Sequence, residues 1–269
     1  MTQGIQIFPG VIAGFFQQKG RDKAELPENV RSTFLETTRG AAVEFWEVLG
    51  EETAPLYGYS LVFFHGNAET IDTTIDLQRW LASLGLTVYS IEYRGFGRSS
   101  GWPSESALND DALMIWRFLH EERDVSPEKL IVLGRSIGSG PAAFLASKIN
   151  PRALALLAPY RSIPALVDQM PLLQYLRPFL WYEFPVESYL QQLKETCVIL
   201  AHGERDNIIP FEHSRYLYQL ISDNVEAHLI SAEAAGHNDL MWYIEESLPE
   251  HMLKCLIGEQ VSSLPENAV

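Results

Sequence analysis

Ser136 lies in a short glycine-flanked motif that is typical of a nucleophilic serine. The motif reads G-R-S-I-G over residues 134–138, directly after the apolar run 130–133 and directly before the small residues 139–143. A serine on a sharp turn from a strand into a helix exposes its hydroxyl, and side chains at the flanking glycines would clash with the strand or the helix. The motif therefore predicts Ser136 as the nucleophile of an acyl-transfer reaction.

A second serine, Ser99, has the same local pattern, G-R-S-S-G over residues 97–101. Residues 94–97 separate it from the preceding apolar run, and Trp102 and Pro103 follow it, so no helix begins at the required place. This context favours Ser136 over Ser99. For Ser136, the alternative is a tight glycine-rich turn with an incidental serine.

Asp206 is the best candidate for the acid of a catalytic triad. It lies in the polar loop 204–210, after the apolar run 197–201, where a parallel sheet places functional loops at the carboxyl ends of its strands. The chain order of nucleophile, acid and base matches that of hydrolases with this kind of elbow. Glu204 and, less favourably, Asp168 are the alternatives.

His237 is the best candidate for the general base. It follows the apolar run 227–230 in the loop A-G-H-N-D and precedes another apolar helical stretch. The other histidines have simpler interpretations: His120 and His213 on helical surfaces, His202 at the end of a strand, and His251 beside a helix start. A lone histidine of this kind is usually structural or solvated.

Acyl transfer also requires hydrogen-bond donors directed at the developing oxyanion. One donor is the backbone N–H after the nucleophile, here that of Ile137. The second is expected after the apolar run 62–64, where the turn H-G-N-A over residues 65–68 indicates the backbone N–H of Asn67. An ordinary turn between strand and helix is the alternative. The mechanism requires no metal and no organic cofactor.

Apolar runs rich in β-branched residues recur along the chain and alternate with segments of helical period. The runs are 62–64, 88–93, 130–133, 153–157, 198–201 and 227–230, and the helical patterns between them include 71–84 and 108–119. Residues 30–37 and 41–49 read as an antiparallel hairpin. This alternation predicts one α/β domain over residues 1–269, with a mostly parallel eight-stranded sheet covered by helices on both faces.

Residues 158–196 are predicted to form a short helical cap-like segment within that domain. Leu172, Leu173, Leu176, Phe179 and Leu180 have the spacing of one helical face, while Pro171, Pro178 and Pro185 interrupt any long helix. One interpretation is that this face packs on the core. The more specific hypothesis is that this segment lines an acyl-binding site near Ser136 through residues that include Leu176, Phe179 and Trp181.

Charge and cysteine content exclude several classes of function. The 35 acidic residues outnumber the 20 Lys and Arg, and the resulting formal charge of −15 disfavours nucleic acid as a partner. Cys197 and Cys255 lie in no metal-ligand spacing, which predicts two buried, free thiols in a reducing compartment. The apolar stretch 5–16 contains Gln6 and Pro9 and is too short to span a membrane; it is interpreted as a packed N-terminal segment, with a membrane-touching anchor as the alternative. A cytoplasmic protein with no integral membrane span is therefore expected; the sequence leaves its oligomeric state open.

Four motifs in order resemble those of α/β-hydrolase-domain serine hydrolases. They are H-G-N-A at 65–68, the elbow at 134–138, H-G-x-x-D at 202–206 and G-H-N-D-L at 236–240, and the resemblance covers about residues 30–256. It implies the α/β-hydrolase fold and cleavage of an ester or thioester in a small-molecule or acylated substrate. Similar proteins include lipid and lysophospholipid hydrolases and protein depalmitoylases, many of which have an N-terminal membrane helix or cysteine cluster that this sequence lacks.

Two other functions are compatible with the same residues. The same triad would also cleave an amide or peptide bond, because the acylation chemistry is shared. A catalytically silent member of the fold would act as a binding module. The complete set of Ser136, Asp206 and His237 favours an enzyme.

Overall fold

A single sheet of eight strands forms the centre of the protein. The computed structural model describes residues 18–19, 26, 29–37, 40–169 and 182–258. The strands of the sheet are β1 Val30–Glu36, β2 Ala42–Val48, β3 Ser60–Phe64, β4 Thr87–Ile91, β5 Leu130–Arg135, β6 Ala153–Leu157, β7 Cys197–Gly203 and β8 Ala227–Ala232. Their spatial order is β8-β7-β6-β5-β3-β4-β2-β1.

The last six strands are parallel, and the first two form an antiparallel edge. β3 pairs in parallel with both β4 and β5, and β5 through β8 continue the parallel pairing. β1 and β2 form the predicted hairpin, and β2 pairs antiparallel with β4. Since parallel strands end at the same edge, the loops after β3, β5, β7 and β8 gather there.

Helices cover both faces of the sheet. They are α1 Ile75–Ser83, α2 Glu105–Glu122, α3 Ser139–Ile149, α4 Ile163–Asp168, α5 Val186–Leu190, α6 Glu212–Ile221, α7 Leu240–Ile244 and α8 Ser247–Ile257. Alternate residues of β3 point to opposite faces, because side chains in a strand alternate. Val62 and Phe64 join an apolar cluster with residues of α2, α3 and α6, whereas Leu61 and Phe63 join one with residues of α1, α7 and α8.

The predicted fold class is confirmed. Each apolar run marks a strand of the sheet, since buried parallel strands are apolar on both faces and stand out in the sequence. A two-residue pairing of Gln18–Lys19 with Phe96–Gly97 lies outside the main sheet and was not predicted. Two residues are too few to produce a recognisable pattern.

The described parts of segment 158–196 contain two short helices, α4 and α5, which pack on the core through Ile163, Leu166, Val186 and Leu190. The backbone N–H groups of Glu183 and Phe184 donate to the carboxylate of Glu105 at the start of α2. Leu176, Phe179 and Trp181, with the rest of 170–181, lie outside the described residues, as do 5–16 and the tail 262–269. The single domain and its cap-like segment remain predictions.

The expectation of two free thiols is wrong, because Cys197 and Cys255 form a disulfide. Cys197 opens β7 and Cys255 lies in α8, 58 residues later in the chain, with 5.5 Å between their Cα atoms. The packing of α8 against β7 brings the two cysteines together, and the sequence around each cysteine gives no sign of its partner.

Within the described residues, no helix combines the length and apolarity that a membrane span requires.

Candidate active site

Ser136 occupies a strained turn between β5 and α3. The strand ends at Arg135, residues Ser136–Gly138 form one 3₁₀ turn, and α3 begins at Ser139. Ser136 has a φ of 53°, in the left-handed region that non-glycine residues rarely adopt. Strain of this kind at a serine between strand and helix is the geometry of a nucleophile elbow.

The two glycines of the elbow are required by close backbone approach. A Cβ at Gly134 would lie 2.5 Å from the Gly138 carbonyl oxygen and 2.7 Å from Cβ of Ala142 in α3. A Cβ at Gly138 would lie 2.2 Å from the carbonyl oxygen of Phe64, at the end of β3. The elbow therefore packs directly against the end of β3, beside the turn that contains Asn67.

Three side chains from three separate loops form one chain of hydrogen bonds. His237 Nε2 lies 3.1 Å from Ser136 Oγ, and His237 Nδ1 lies 2.6 Å from Asp206 Oδ2. With the proton on Nδ1, the imidazole donates to the carboxylate and accepts from the serine hydroxyl. This is the arrangement in which an imidazole removes a proton from a nucleophile.

Asp206 is held as a carboxylate by several donors. Its Oδ1 accepts the backbone N–H groups of Ile208 and Ile209, each at 2.8 Å. Burial alone would raise the pKa of Asp206, but the hydrogen bonds from His202 and His237 outweigh it and hold that pKa well below its usual range. The group that orients His237 is thus ionised at neutral pH.

His202 is the residue near the site whose role sequence reasoning missed. Its imidazole is fully buried, with Nδ1 2.6 Å from Ser214 Oγ and Nε2 2.8 Å from the Ile209 carbonyl oxygen and 3.2 Å from Asp206 Oδ2. Because Nε2 faces two acceptors, the Ile209 carbonyl and Asp206, it carries the ring proton, and Nδ1 accepts the Ser214 hydroxyl. The only signal in the sequence was the position of His202 four residues before Asp206.

Backbone hydrogen bonds join the loops that carry the acid and the base. The N–H of Glu204 donates to the Ala232 carbonyl at 3.0 Å, and that of Arg205 donates to the Ala235 carbonyl at 3.0 Å. Asp239 Oδ1 accepts the N–H of Gly236 at 2.7 Å and closes the histidine loop. These bonds determine the separation of Asp206 and His237 independently of their side chains.

The alternative residues occupy other positions. Ser99 is buried, and its hydroxyl donates to the Glu92 carbonyl and accepts the Glu44 N–H, so it connects β2 to the end of β4. Glu204 accepts the hydroxyl of Ser231, and Asp168 is the last residue of α4. Of the three candidate acids, Asp206 is the one whose carboxylate contacts His237.

Glu69 connects the Asn67 turn to the nucleophile elbow. Its Oε2 accepts the Gly66 N–H at 2.6 Å, and its Oε1 forms an ion pair with Arg135, the residue before Ser136. Both side chains are about one-fifth exposed. The Asn67 N–H donates no hydrogen bond to another described residue.

A buried cluster of polar side chains holds the same turn in place. His65 Nε2 lies 3.1 Å from Glu92 Oε1, and Tyr93 donates its hydroxyl to the His65 carbonyl at 2.7 Å. Burial lowers the pKa of His65, but the hydrogen bond and charge of Glu92 outweigh it, so the pKa is raised. Glu92 also accepts the Ile71 N–H at 3.2 Å, so the residue that follows β4 holds the chain shortly after the turn.

His213 is fully buried, which corrects the expectation of a place on a helical surface. Its Nδ1 accepts the Arg161 N–H at 3.1 Å, and its Nε2 has no hydrogen-bond partner among the described residues. Burial and the neighbouring His202 lower the pKa of His213 to about 4. It is therefore neutral at physiological pH, and α6 turns it inward together with Ser214.

The sheet order and the position of the elbow define the class of the protein, which has the α/β-hydrolase fold. The sequence family described as serine aminopeptidase, S33, matches residues 59–191, from β3 to the end of α5. The esterase Pf2001 of Pyrococcus furiosus shares the architecture, with a TM-score of 0.67 and 16% identity over 89% of this chain and 98% of that one. At 16% identity, this similarity concerns the fold alone.

Two curated relatives are similar in sequence. Alpha/beta hydrolase domain-containing protein 17C of Mus musculus is 33% identical over 193 residues, 71% of this chain. That stretch is 58% of the relative's length, so the chain spans less than two thirds of it. The uncharacterized protein YfhR of Escherichia coli O157:H7 is 29% identical over 229 residues, which cover 81% of this chain and 78% of that protein. Together with the family match, they support an α/β-hydrolase.

Proposed function

We propose that the protein is a serine hydrolase that cleaves a carboxylic ester or thioester through an acyl-enzyme intermediate. The observation that carries the proposal is the hydrogen-bonded chain from Asp206 through His237 to Ser136, with the serine on a strained elbow. Each side chain has the partner that its role requires.

In the proposed reaction, Ser136 Oγ attacks the acyl carbonyl carbon while His237 Nε2 takes the hydroxyl proton. The backbone N–H groups of Ile137 and Asn67 stabilise the oxyanion of the tetrahedral intermediate. His237 then protonates the leaving alcohol or thiol. Water, activated by the same imidazole, releases the acid and restores Ser136. Asp206 holds the imidazole in the tautomer that this sequence requires.

The substrate is proposed to be a small molecule or an acylated substrate, in a cytoplasmic setting and with no nucleic acid as partner. The formal charge of −15 supports the exclusion of nucleic acid. The acyl chain is proposed to contact Leu176, Phe179 and Trp181 of the cap-like segment.

Amide cleavage is the second candidate, because the matching family is described as serine aminopeptidase. An aminopeptidase binds the free ammonium group of its substrate, which favours an unpaired carboxylate near the nucleophile. Glu69, which contacts the residue next to Ser136, is instead neutralised by Arg135. This pairing makes Glu69 a poor partner for a free amino terminus.

A fluorophosphonate reagent, which reacts with activated serines, tests the proposal. We expect it to label Ser136 in the wild type, to fail with Ser136→Ala, and to label Ser99→Ala as it does the wild type, with the modified peptide identified by mass spectrometry. Labelling that persists in Ser136→Ala would overturn the assignment. Turnover of acyl esters and thioesters against amino-acid anilides then separates the two candidate activities.

A further inference from the structure

The amino end of β7, opposite the end that leads to Asp206, carries a second cluster of reactive side chains. Cys197 and Cys255 meet there, and both are buried. Since Cys197 and Gly203 are the first and last residues of β7, the cluster lies roughly 20 Å from the active-site edge at about 3.3 Å per residue. It therefore belongs to a different part of the molecule.

Two further ligand-type side chains come from the neighbouring strand: His228 lies in β8, and Glu226 directly precedes it. The Val198 N–H donates to the Glu226 carbonyl at 2.8 Å, and His228 is in register with Ile199. This pairing places His228 and Glu226 beside Cys197, with His228 Nε2 3.1 Å from Glu226 Oε1. The His228 side chain is 20% exposed and that of Glu226 46%, so the cluster is open to solvent on one side.

One ligand atom from each of the four residues lies within 4.8 Å of all the others. Zinc is bound tetrahedrally by sulfur, nitrogen and oxygen at about 2.0–2.3 Å, which places neighbouring ligand atoms about 3.3–3.8 Å apart. Once the S–S bond is broken and the two sulfurs separate, side-chain rotations would bring the four ligand atoms to this spacing. Two thiolates, one imidazole and one carboxylate form a donor set that suits zinc better than magnesium or calcium, which prefer oxygen ligands alone.

We propose that the protein binds one zinc ion through Cys197, Cys255, His228 and Glu226 when its disulfide is reduced. A dithiol reductant supplies two electrons and two protons, the S–S bond breaks, and the dithiol is itself oxidised to a disulfide. Zinc then displaces the two thiol protons, which pass to water, and forms two Zn–S bonds. In the reverse direction, a disulfide oxidant accepts two electrons from the two thiolates and two protons from water and becomes a dithiol, while the Cys197–Cys255 bond re-forms and the ion is released.

At such a site, the redox state of the two cysteines determines how β7 is joined to the neighbouring elements. In the oxidised state the disulfide joins β7 to α8, and His228 and Glu226 contact each other. In the reduced state the zinc ion joins β7, β8 and α8 through four bonds. The proposal rests on this cluster alone and is independent of the reaction proposed at Ser136.

Metal binding by the full chain tests the proposal. The protein is reduced with a phosphine, freed of reductant without oxygen, and titrated with Co²⁺, whose thiolate complexes absorb in the near ultraviolet; Zn²⁺ then displaces the cobalt. We expect one equivalent to bind to the reduced wild type with a thiolate-to-cobalt band, and none to bind to the oxidised protein. Absence of the band in the reduced protein, or equal binding by the oxidised protein, would overturn the proposal.

Variants distinguish the four-ligand site from other binding. Cys255→Ser should abolish the cobalt band. Cys255→Ser changes a buried position, where a substitution also affects packing. His228→Ala and Glu226→Gln therefore provide a second measurement, at partly exposed positions. Each should weaken zinc affinity at least about tenfold. His120→Ala, which removes an exposed histidine from α2, and Ser136→Ala should bind zinc as the wild type does. Unchanged affinity in His228→Ala would refute the site.

Discussion

The imidazole of His202 is fully buried, with its Nε2 3.2 Å from Oδ2 of Asp206, the same oxygen that contacts His237. One carboxylate oxygen is therefore shared by two histidines, one at each side. His202 lies on β7 and is held by Ser214 and the Ile209 carbonyl, and we expect its contact with Oδ2 to help keep the carboxylate directed at His237.

Removal of this contact should slow the reaction without weakening substrate binding. We expect His202→Phe to lower kcat for a p-nitrophenyl ester about tenfold to hundredfold, the cost of one hydrogen bond to a charged group, with KM within about threefold of the wild type. His202→Gln, whose amide nitrogen can replace Nε2 as the donor, should recover most of the loss. Equal kcat values for the two variants would mean that His202 serves packing alone.

Glu69 is expected to position the proposed oxyanion donors. Glu69→Ala leaves the Gly66 N–H and Arg135 without their partner and should lower kcat about tenfold to hundredfold, somewhat less than the loss of an oxyanion donor itself. Glu69→Gln keeps an acceptor for Gly66 and should lie between Glu69→Ala and the wild type. Glu187→Ala removes a salt bridge of similar exposure, to Arg161, and is the matched control. A loss in the control as large as in Glu69→Ala would contradict the role.

His213 should make the protein less stable in mild acid. Its pKa is lowered to about 4 in the folded state and is about 6.5 when unfolded, so the unfolded chain takes up a proton first as the pH falls. The free energy of unfolding of the wild type should therefore drop about 2 kcal/mol more between pH 7 and pH 5 than that of His213→Asn, whose side-chain oxygen can still accept the Arg161 N–H. Urea denaturation at both pH values measures the difference, and parallel losses in the two proteins would show that His213 does not cause it.

Phe179 and Trp181 should determine acyl-chain preference if the cap-like segment lines the acyl site. The loss of a large apolar contact costs about 1–3 kcal/mol for a chain that fills the pocket. Phe179→Ala and Trp181→Ala should thus lower kcat/KM for a medium or long acyl ester at least about tenfold more than for an acetyl ester, with melting temperatures nearly unchanged. Phe34 lies on the edge strand β1 and is about half exposed. Phe34→Ala is therefore the control for the loss of an aromatic ring outside the proposed acyl site. Equal losses for both esters would support core packing instead.

The local sequence was sufficient to predict the sheet and the elbow. Buried parallel strands require apolar runs, and a serine turn between strand and helix requires glycine where a Cβ meets backbone, so both leave marks within a few residues. The order of Ser136, Asp206 and His237 along the chain then predicted which loops would meet, since parallel strands end at one edge.

The tertiary structure decided what depends on contacts between distant segments. Asp206 rather than Glu204 contacts His237, since the loop after β7 directs the two carboxylates differently. Glu69 pairs with Arg135, which lies 66 residues later in the chain. Cys197 bonds to Cys255, which lies 58 residues later. His213 looked like a surface residue because helical spacing alone does not show which face α6 presents to the sheet. A sequence records which side chains are present at each position, whereas their partners follow from how the helices pack against the sheet.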